Sequence, residues 1–235
     1  MKKNKITLSF ICLFLSSSIL AEILECRSFT PLPGRDMQML ETLNMVADWH
    51  ESHGAVAGIY PIRIGGQGNQ TNYCLRWDDA AAWAKTADAT YDEVWKKAKK
   101  GSKKKAEASM TLLSSRTYVN IDATVKADDG FTGRQVWHAF SVLPAEGRDQ
   151  DVVNRLSKMA EFVEKAGNRV EIYTDGPGGN GSVYFLTIAD SWSEFQKSWS
   201  KTSEIEGWQE FVAATDPSMY SGKTAETEFN GVSIR

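Results

Sequence analysis

The chain predicts an α+β fold built from two copies of one βαββαβ unit. Two observations lead there: an internal repeat at a fixed offset, and the same succession of strand and helix periodicities in each copy. Sliding the 235 residues by 113 positions pairs Ser28 with Ser141, Pro31 with Pro144, and Gly34-Arg35-Asp36 with Gly147-Arg148-Asp149. The same offset pairs Leu43 with Leu156, Ala47 with Ala160, Glu51 with Glu164, Gly54 with Gly167, and Ile59-Tyr60 with Ile172-Tyr173. Gly65, Gly66 and Gly68 fall on Gly178, Gly179 and Gly181, which makes 14 identities over residues 28–68 without a gap. Chance matching at ordinary composition gives about 6 per cent.

Each copy then reads in the same order. First strands over about 23–30 and 135–143 end at Pro-Gly and Glu-Gly turns, after which Asp36 and Asp149 are placed to cap a helix. The first helix carries Met37, Leu40, Leu43, Val46 and Ala47, and its copy Val152, Val153, Leu156, Met159, Ala160 and Val163, at helical spacing. Gly54 and Gly167 follow, as expected just past a helix end. Hairpins come next, 56–64 with 71–77 and 169–175 with 182–189, joined by glycine-rich turns. Second helices over 79–100 and 191–214 and last strands near 116–124 and 223–231 complete the unit. This order forms a ferredoxin-like sandwich whose sheet leaves one face uncovered. The second copy is the natural cover, so the repeats are expected to stack sheet to sheet as a pseudo-dimeric α/β barrel that is monomeric in solution. The expected division is 22–127 for the first repeat, 128–133 for a linker and 134–235 for the second.

Residues 1–21 run from Lys2, Lys3 and Lys5 through the apolar Ile6 to Leu15 into three serines and a small residue at Ala21, the order of a secretory signal peptide. Cleavage near Ala21 makes the mature chain periplasmic or secreted, with no further stretch of membrane-spanning length. It removes three lysines and no acid, taking the net charge from −3 to −6, which is against nucleic-acid binding by bulk charge. Cys26 and Cys74 remain, an even pair in an oxidising compartment, and are expected to form a disulfide, with two buried thiols as the alternative.

The first strand and its turn, Glu25-Cys26-Arg27-Ser28-Phe29-Thr30-Pro31-Leu32-Pro33-Gly34-Arg35, resemble the opening of NIPSNAP-type domains. His53-Gly54, Gly58 and the late tryptophans Trp95 and Trp208 are similar to the same family. The resemblance implies the dimeric α/β-barrel superfamily, which also holds antibiotic-biosynthesis-type monooxygenases, small isomerases and haem-binding enzymes. The second copy departs from the pattern, with His138 for Glu25, Phe140 for Arg27 and Ala166 for His53.

Glu25, Arg27 and His138 are the candidate catalytic residues, because the repeat puts Glu25 and His138 at equivalent positions on the two first strands. Facing inward, an acid, a base and a guanidinium would share one cavity and could move a proton on a bound molecule. The opposite alternation sends Cys26, Ser28, Trp137 and Ser141 inward, as a Cys26–Cys74 bond requires, and strand pattern alone leaves both open. His50 and His53 lie three apart on one helix and could face a metal, but no third ligand has a telling spacing, so neither metal nor cofactor is expected. The lysines from Lys96 to Lys105 form a basic run present only in the first copy, read as a solvated helix end. The glycine-rich turns lack the Lys-Ser/Thr of a phosphate-binding loop. The functional expectation is a barrel cavity binding a small, partly aromatic molecule. Its alternatives are a cofactor-independent monooxygenase or isomerase using Glu25, Arg27 or His138, and haem binding through His50, His53 or His138.

Overall fold

The computed structural model describes residues 20–65, 69–95, 108–129, 133–221 and 226–234. Outside them lie most of the expected signal peptide, the turn at 66–68, the whole Lys96 to Lys105 run and the centre of the expected linker at 130–132. The strands are β1 (Ile23–Pro31), β2 (Val56–Ile64), β3 (Thr71–Trp77), β4 (Met110–Asn120), β5 (Val136–Val142), β6 (Arg169–Asp175), β7 (Val183–Ala189) and β8 (Glu226–Val232). Among the described residues there are five α-helices: α1 (Asp36–Glu51), α2 (Ala80–Thr90), α3 (Asp149–Ala166), α4 (Trp192–Thr202) and α5 (Trp208–Ala213).

All eight strands join in one closed antiparallel barrel in the order β1-β3-β2-β8-β5-β7-β6-β4. Two four-stranded sheets, β4-β1-β3-β2 and β8-β5-β7-β6, face each other across the interior and are also hydrogen-bonded along both edges. One seam pairs Tyr118, Val119 and Asn120 with Asp175, Thr174 and Tyr173, and the other pairs Ile62 and Ile64 with Gly231 and Asn230. Closure removes the exposed strand edges that two open sheets would leave.

Several local expectations shift. Asp36 and Asp149 do not cap their helices: Arg35 and Arg148 hold the N-cap positions, and the acids sit in the first turn, where they favour the positive helix end. Gly167 is the left-handed cap of α3 at φ 112°, a conformation that a side chain strains. The long second helix is broken in both halves. In the first, α2 runs into a π-helical turn at Tyr91–Trp95; in the second, Gly207 at φ 86° separates α4 from α5. The last strand of the first half begins at Met110, six residues before its expected start.

The core divides into three. Leu24, Cys26, Tyr60, Cys74, Tyr118, Trp137, Ala139, Tyr173, Tyr184, Leu186 and Ile188 fill the barrel. Helices α1 and α2 cover the outer face of the first sheet over Leu43, Ala47, Ile59, Tyr73, Leu75 and Trp77. The second half repeats this with Val152, Leu156, Val163, Ile172, Val183 and Phe185. An eight-stranded barrel is just wide enough for side chains to fill it, and aromatic rings do so here. Tyr60 packs 4.5 Å from Trp137, and Tyr118 4.5 Å from Tyr184. Gly58 belongs to this packing, since a Cβ there would fall 2.5 Å from the Tyr60 hydroxyl.

Candidate functional site

The strand alternation puts Cys26, Ser28, Trp137 and Ser141 on the barrel side and Glu25, Arg27 and His138 on the faces that carry the helices. Cys26 and Cys74, directly opposite on β1 and β3, are joined by a disulfide inside the barrel. Glu25 accepts a hydrogen bond from Arg27 Nε at 2.7 Å and from Trp83 Nε1 at 3.1 Å, the latter on α2. His138 lies in the other half, among Phe140, Phe195 of α4 at 5.4 Å and Trp199 of α4 at 5.9 Å. The structure therefore brings Glu25 to Arg27 and leaves His138 away from both. The shared cavity expected for the three is not formed, because inward positions on β1 and β5 are the even and odd residues on either side of them.

The barrel interior is also too full for the expected ligand. Its cavity is about 20 Å³, lined by Leu24, Cys26, Tyr118, Trp137, Ala139, Tyr173, Tyr184 and Leu186, which is room for about one water. One end is sealed by a buried ionic cluster that joins the halves. Arg76 on β3 donates to Glu22 and, at 3.0 Å, to Glu171 on β6. Tyr173 donates to Glu171 at 2.6 Å, and Asn120 to Glu22 at 2.8 Å. Burial works against the charge on Arg76, but Tyr173, Glu171 and Glu22 outweigh it and raise its pKa, while burial, followed by Glu171, raises that of Tyr173 and keeps the phenol protonated. This arrangement braces the barrel; the groups are spent on one another.

The histidines divide similarly. His50 Nδ1 lies 2.9 Å from the Val46 carbonyl and 2.8 Å from the Tyr73 hydroxyl. His53 stacks on Trp49 at 4.1 Å, with Nδ1 2.8 Å from the Trp49 carbonyl, so the two do not converge on a common point. Among the described residues no three His, Cys, Asp or Glu side chains gather as a metal site. His138 differs, because its buried Nδ1 and the hydroxyl of Thr187, its cross-strand neighbour, have no hydrogen-bond partner among the described residues.

Burial lowers the pKa of both His50 and His138. A histidine whose folded value lies below its unfolded one stabilises the protein fully above about pH 6.5, and that contribution is lost as pH falls through the folded value. The melting temperature is therefore expected to drop as pH is lowered from about 7.5 to about 5.5, with a shallower slope in the double variant His50→Gln, His138→Gln. Equal slopes would contradict this assignment.

An open groove lies elsewhere, on the outer face of the second sheet. Its volume is about 400 Å³, within the range of small-molecule pockets, and Phe140 and Val142 of β5, Arg155, Leu156 and Met159 of α3, and Trp208, Phe211 and Val212 of α5 line it with Thr215 and Tyr220. The local sequence builds it directly. The apolar stripe of α3 docks Val152, Leu156 and Val163 on the sheet, and the turn at Gly207 swings α5 out so that its aromatic residues roof the space. Phe162 pins that roof at 5.5 Å from Trp208 and 5.3 Å from Phe211. Arg155 lies with its guanidinium carbon 4.0 Å from the Phe211 ring centre and donates to the Phe211 carbonyl at 2.9 Å and to Thr215. The result is an apolar, aromatic slot with one oriented cation, suited to a flat molecule carrying an electron-rich or anionic edge. Neither Arg155 nor Phe211 stands out in the sequence as a site residue. The available signal was divergence between the copies, since Thr42 and Arg27 stand where the second copy has Arg155 and Phe140.

No family model matches the chain, and no curated protein matches it. Solved structures do. A candidate monooxygenase from Fusobacterium nucleatum aligns with TM-score 0.58 at 12% identity, covering 92% of this chain and 93% of the other. An anthrone oxidase-like protein aligns with TM-score 0.58 at 10% identity, covering 93% of each. A candidate chlorite dismutase aligns with TM-score 0.55 at 11% identity, covering 92% of this chain and 95% of its own. At such identities the likeness is one of fold alone.

Proposed function

We propose that the chain is an exported protein, built of two fused ferredoxin-like repeats of NIPSNAP-like kinship, that binds a small, partly aromatic molecule in the groove between β5, α3 and α5. The observation that carries this reading is the groove itself, about 400 Å³ walled by Phe140, Trp208, Phe211 and Tyr220 with Arg155 at its side. It moves the expected ligand from the filled barrel interior to the outer face of the second half. The Cys26–Cys74 disulfide supports an oxidising compartment, and among the described residues no helix is long and apolar enough to cross a membrane.

Titration with 2-naphthol, followed by tryptophan fluorescence, tests the groove. Saturable binding is expected, and Met159→Trp, which fills the slot, is expected to weaken it at least 10-fold with the melting temperature retained. Binding unchanged by Met159→Trp would overturn this reading.

The named likenesses to a candidate monooxygenase and an anthrone oxidase-like protein favour oxidation of the bound molecule as a second reading. Of the residues expected to be catalytic, His138 is the one near the groove, 6.5 Å from the Phe140 ring. Burial lowers its pKa and so favours the neutral imidazole that a general base or an axial ligand requires. With His50 and His53 held by their own helix, His138 is also the histidine on which haem binding would rest.

A further inference from the structure

A second groove, unrelated to the first, opens at the seam where β2 meets β8. It measures about 640 Å³ and is lined by Pro61, Arg63, Gly133, Arg134, Trp192, Val232, Ser233 and Ile234. Arg63 and Arg134 are both exposed, and neither has an ion pair or hydrogen bond among the described residues. Among the described residues no carboxylate belongs to the lining, although the chain as a whole is acidic. Two exposed guanidinium groups on one groove give it a positive potential, and the planar fork of each matches a carboxylate in two parallel hydrogen bonds. Apart from Ser233 and Gly133, the rest of the wall is apolar. Trp192 is half-buried at the start of α4, and Ile234 is 51% exposed, a large apolar side chain left to water. A bare inorganic anion would leave that wall and most of the volume unused.

We infer that this groove is a second ligand site, taking a small organic anion whose charged head lies between Arg63 and Arg134 and whose flat apolar body covers Trp192 and Ile234. The opposite seam cannot duplicate it. The positions equivalent by the repeat to Arg63 and Arg134 are Gly176 and Ala21, and the one that aligns with Trp192 after the helix caps Asp79 and Ser191 is Ala80. The stoichiometry is therefore one anion per chain at this site.

The test is a titration of the whole mature protein carrying Met159→Trp, which fills the α3–α5 groove, with 1-naphthoate, its uncharged analogue 1-naphthylmethanol, and inorganic phosphate, read by calorimetry and tryptophan fluorescence. The expected result is one 1-naphthoate per chain at this site, with quenching lost in Trp192→Phe. Arg63→Gln and Arg134→Gln should each weaken it at least 10-fold at unchanged melting temperature, and Arg155→Gln should leave it intact. The alcohol and phosphate should both bind at least 10-fold more weakly. An absence of saturable binding, equal binding of the alcohol or of phosphate, or indifference to Arg63 and Arg134 would overturn the site. Loss of binding in Arg155→Gln alone would also overturn it, by assigning the probe to the α3–α5 groove; failure of that groove with 2-naphthol leaves this result unaffected.

Discussion

Replacing Arg76 by methionine is expected to lower stability by about 3–5 kcal/mol, the cost of leaving a buried carboxylate, Glu22, without its counter-charge. Arg76 is 1% exposed and its two partners, Glu22 and Glu171, come from opposite halves of the barrel; Glu171 keeps its pair with Arg169, but Glu22 is left in the interior with only the neutral Asn120 and Tyr173. Urea unfolding of the purified protein measures it directly. The mechanism makes a second demand. Adding Glu22→Gln and Glu171→Gln to Arg76→Met should restore part of the stability, because the removal of a whole buried cluster costs less than the removal of one member. A loss below about 1 kcal/mol for Arg76→Met would contradict the brace, since a value of that size belongs to exposed ion pairs.

Removing the disulfide comes second. The double variant Cys26→Ala, Cys74→Ala opens a loop of 48 residues and is expected to cost on the order of 4 kcal/mol in the chain-entropy account. The bond ties adjacent strands in the barrel centre, with Cys26 8% and Cys74 1% exposed, so reductant should act on the unfolded chain far faster than on the native one. Thiol labelling after denaturation should find neither cysteine free in unreduced protein and both free after reduction. Labelling of both without reduction would contradict it.

The repeat made much of the architecture legible, and physical reasons explain where legibility stopped. Ser28 with Ser141 and Ile59-Tyr60 with Ile172-Tyr173 keep strands in register because backbone pairing and core packing constrain both copies alike. The face of β1 that turns inward could not be read, because polar residues occupy both of its faces: Glu25 and Arg27 on one, Cys26 and Ser28 on the other. Arg76 would ordinarily mark a solvent face, yet it is interior because Glu22 and Glu171, 54 and 95 residues away, meet it there. Long-range pairing of this kind leaves no trace in local periodicity. The groove was hidden for the same reason. Arg155 and Phe211 are 56 residues apart and meet only because Gly207 turns α5 back over α3. The copies also differ where the two outer sheet faces differ: Phe140 in place of Arg27 makes one face apolar and open, and the other is charged and paired. Ile188 in place of Arg76 and Gln135 in place of Glu22 likewise confine the ionic brace to one end of the barrel.

Native mass spectrometry of the protein purified from its own cells tests the central claim, that the α3–α5 groove of the second half binds a small molecule. The account predicts one retained small-molecule mass on the wild-type chain, absent from Met159→Trp prepared in the same way; the mass itself would separate an aromatic metabolite from a haem. A wild-type chain that carries no ligand, or a ligand retained equally by Met159→Trp, would contradict it.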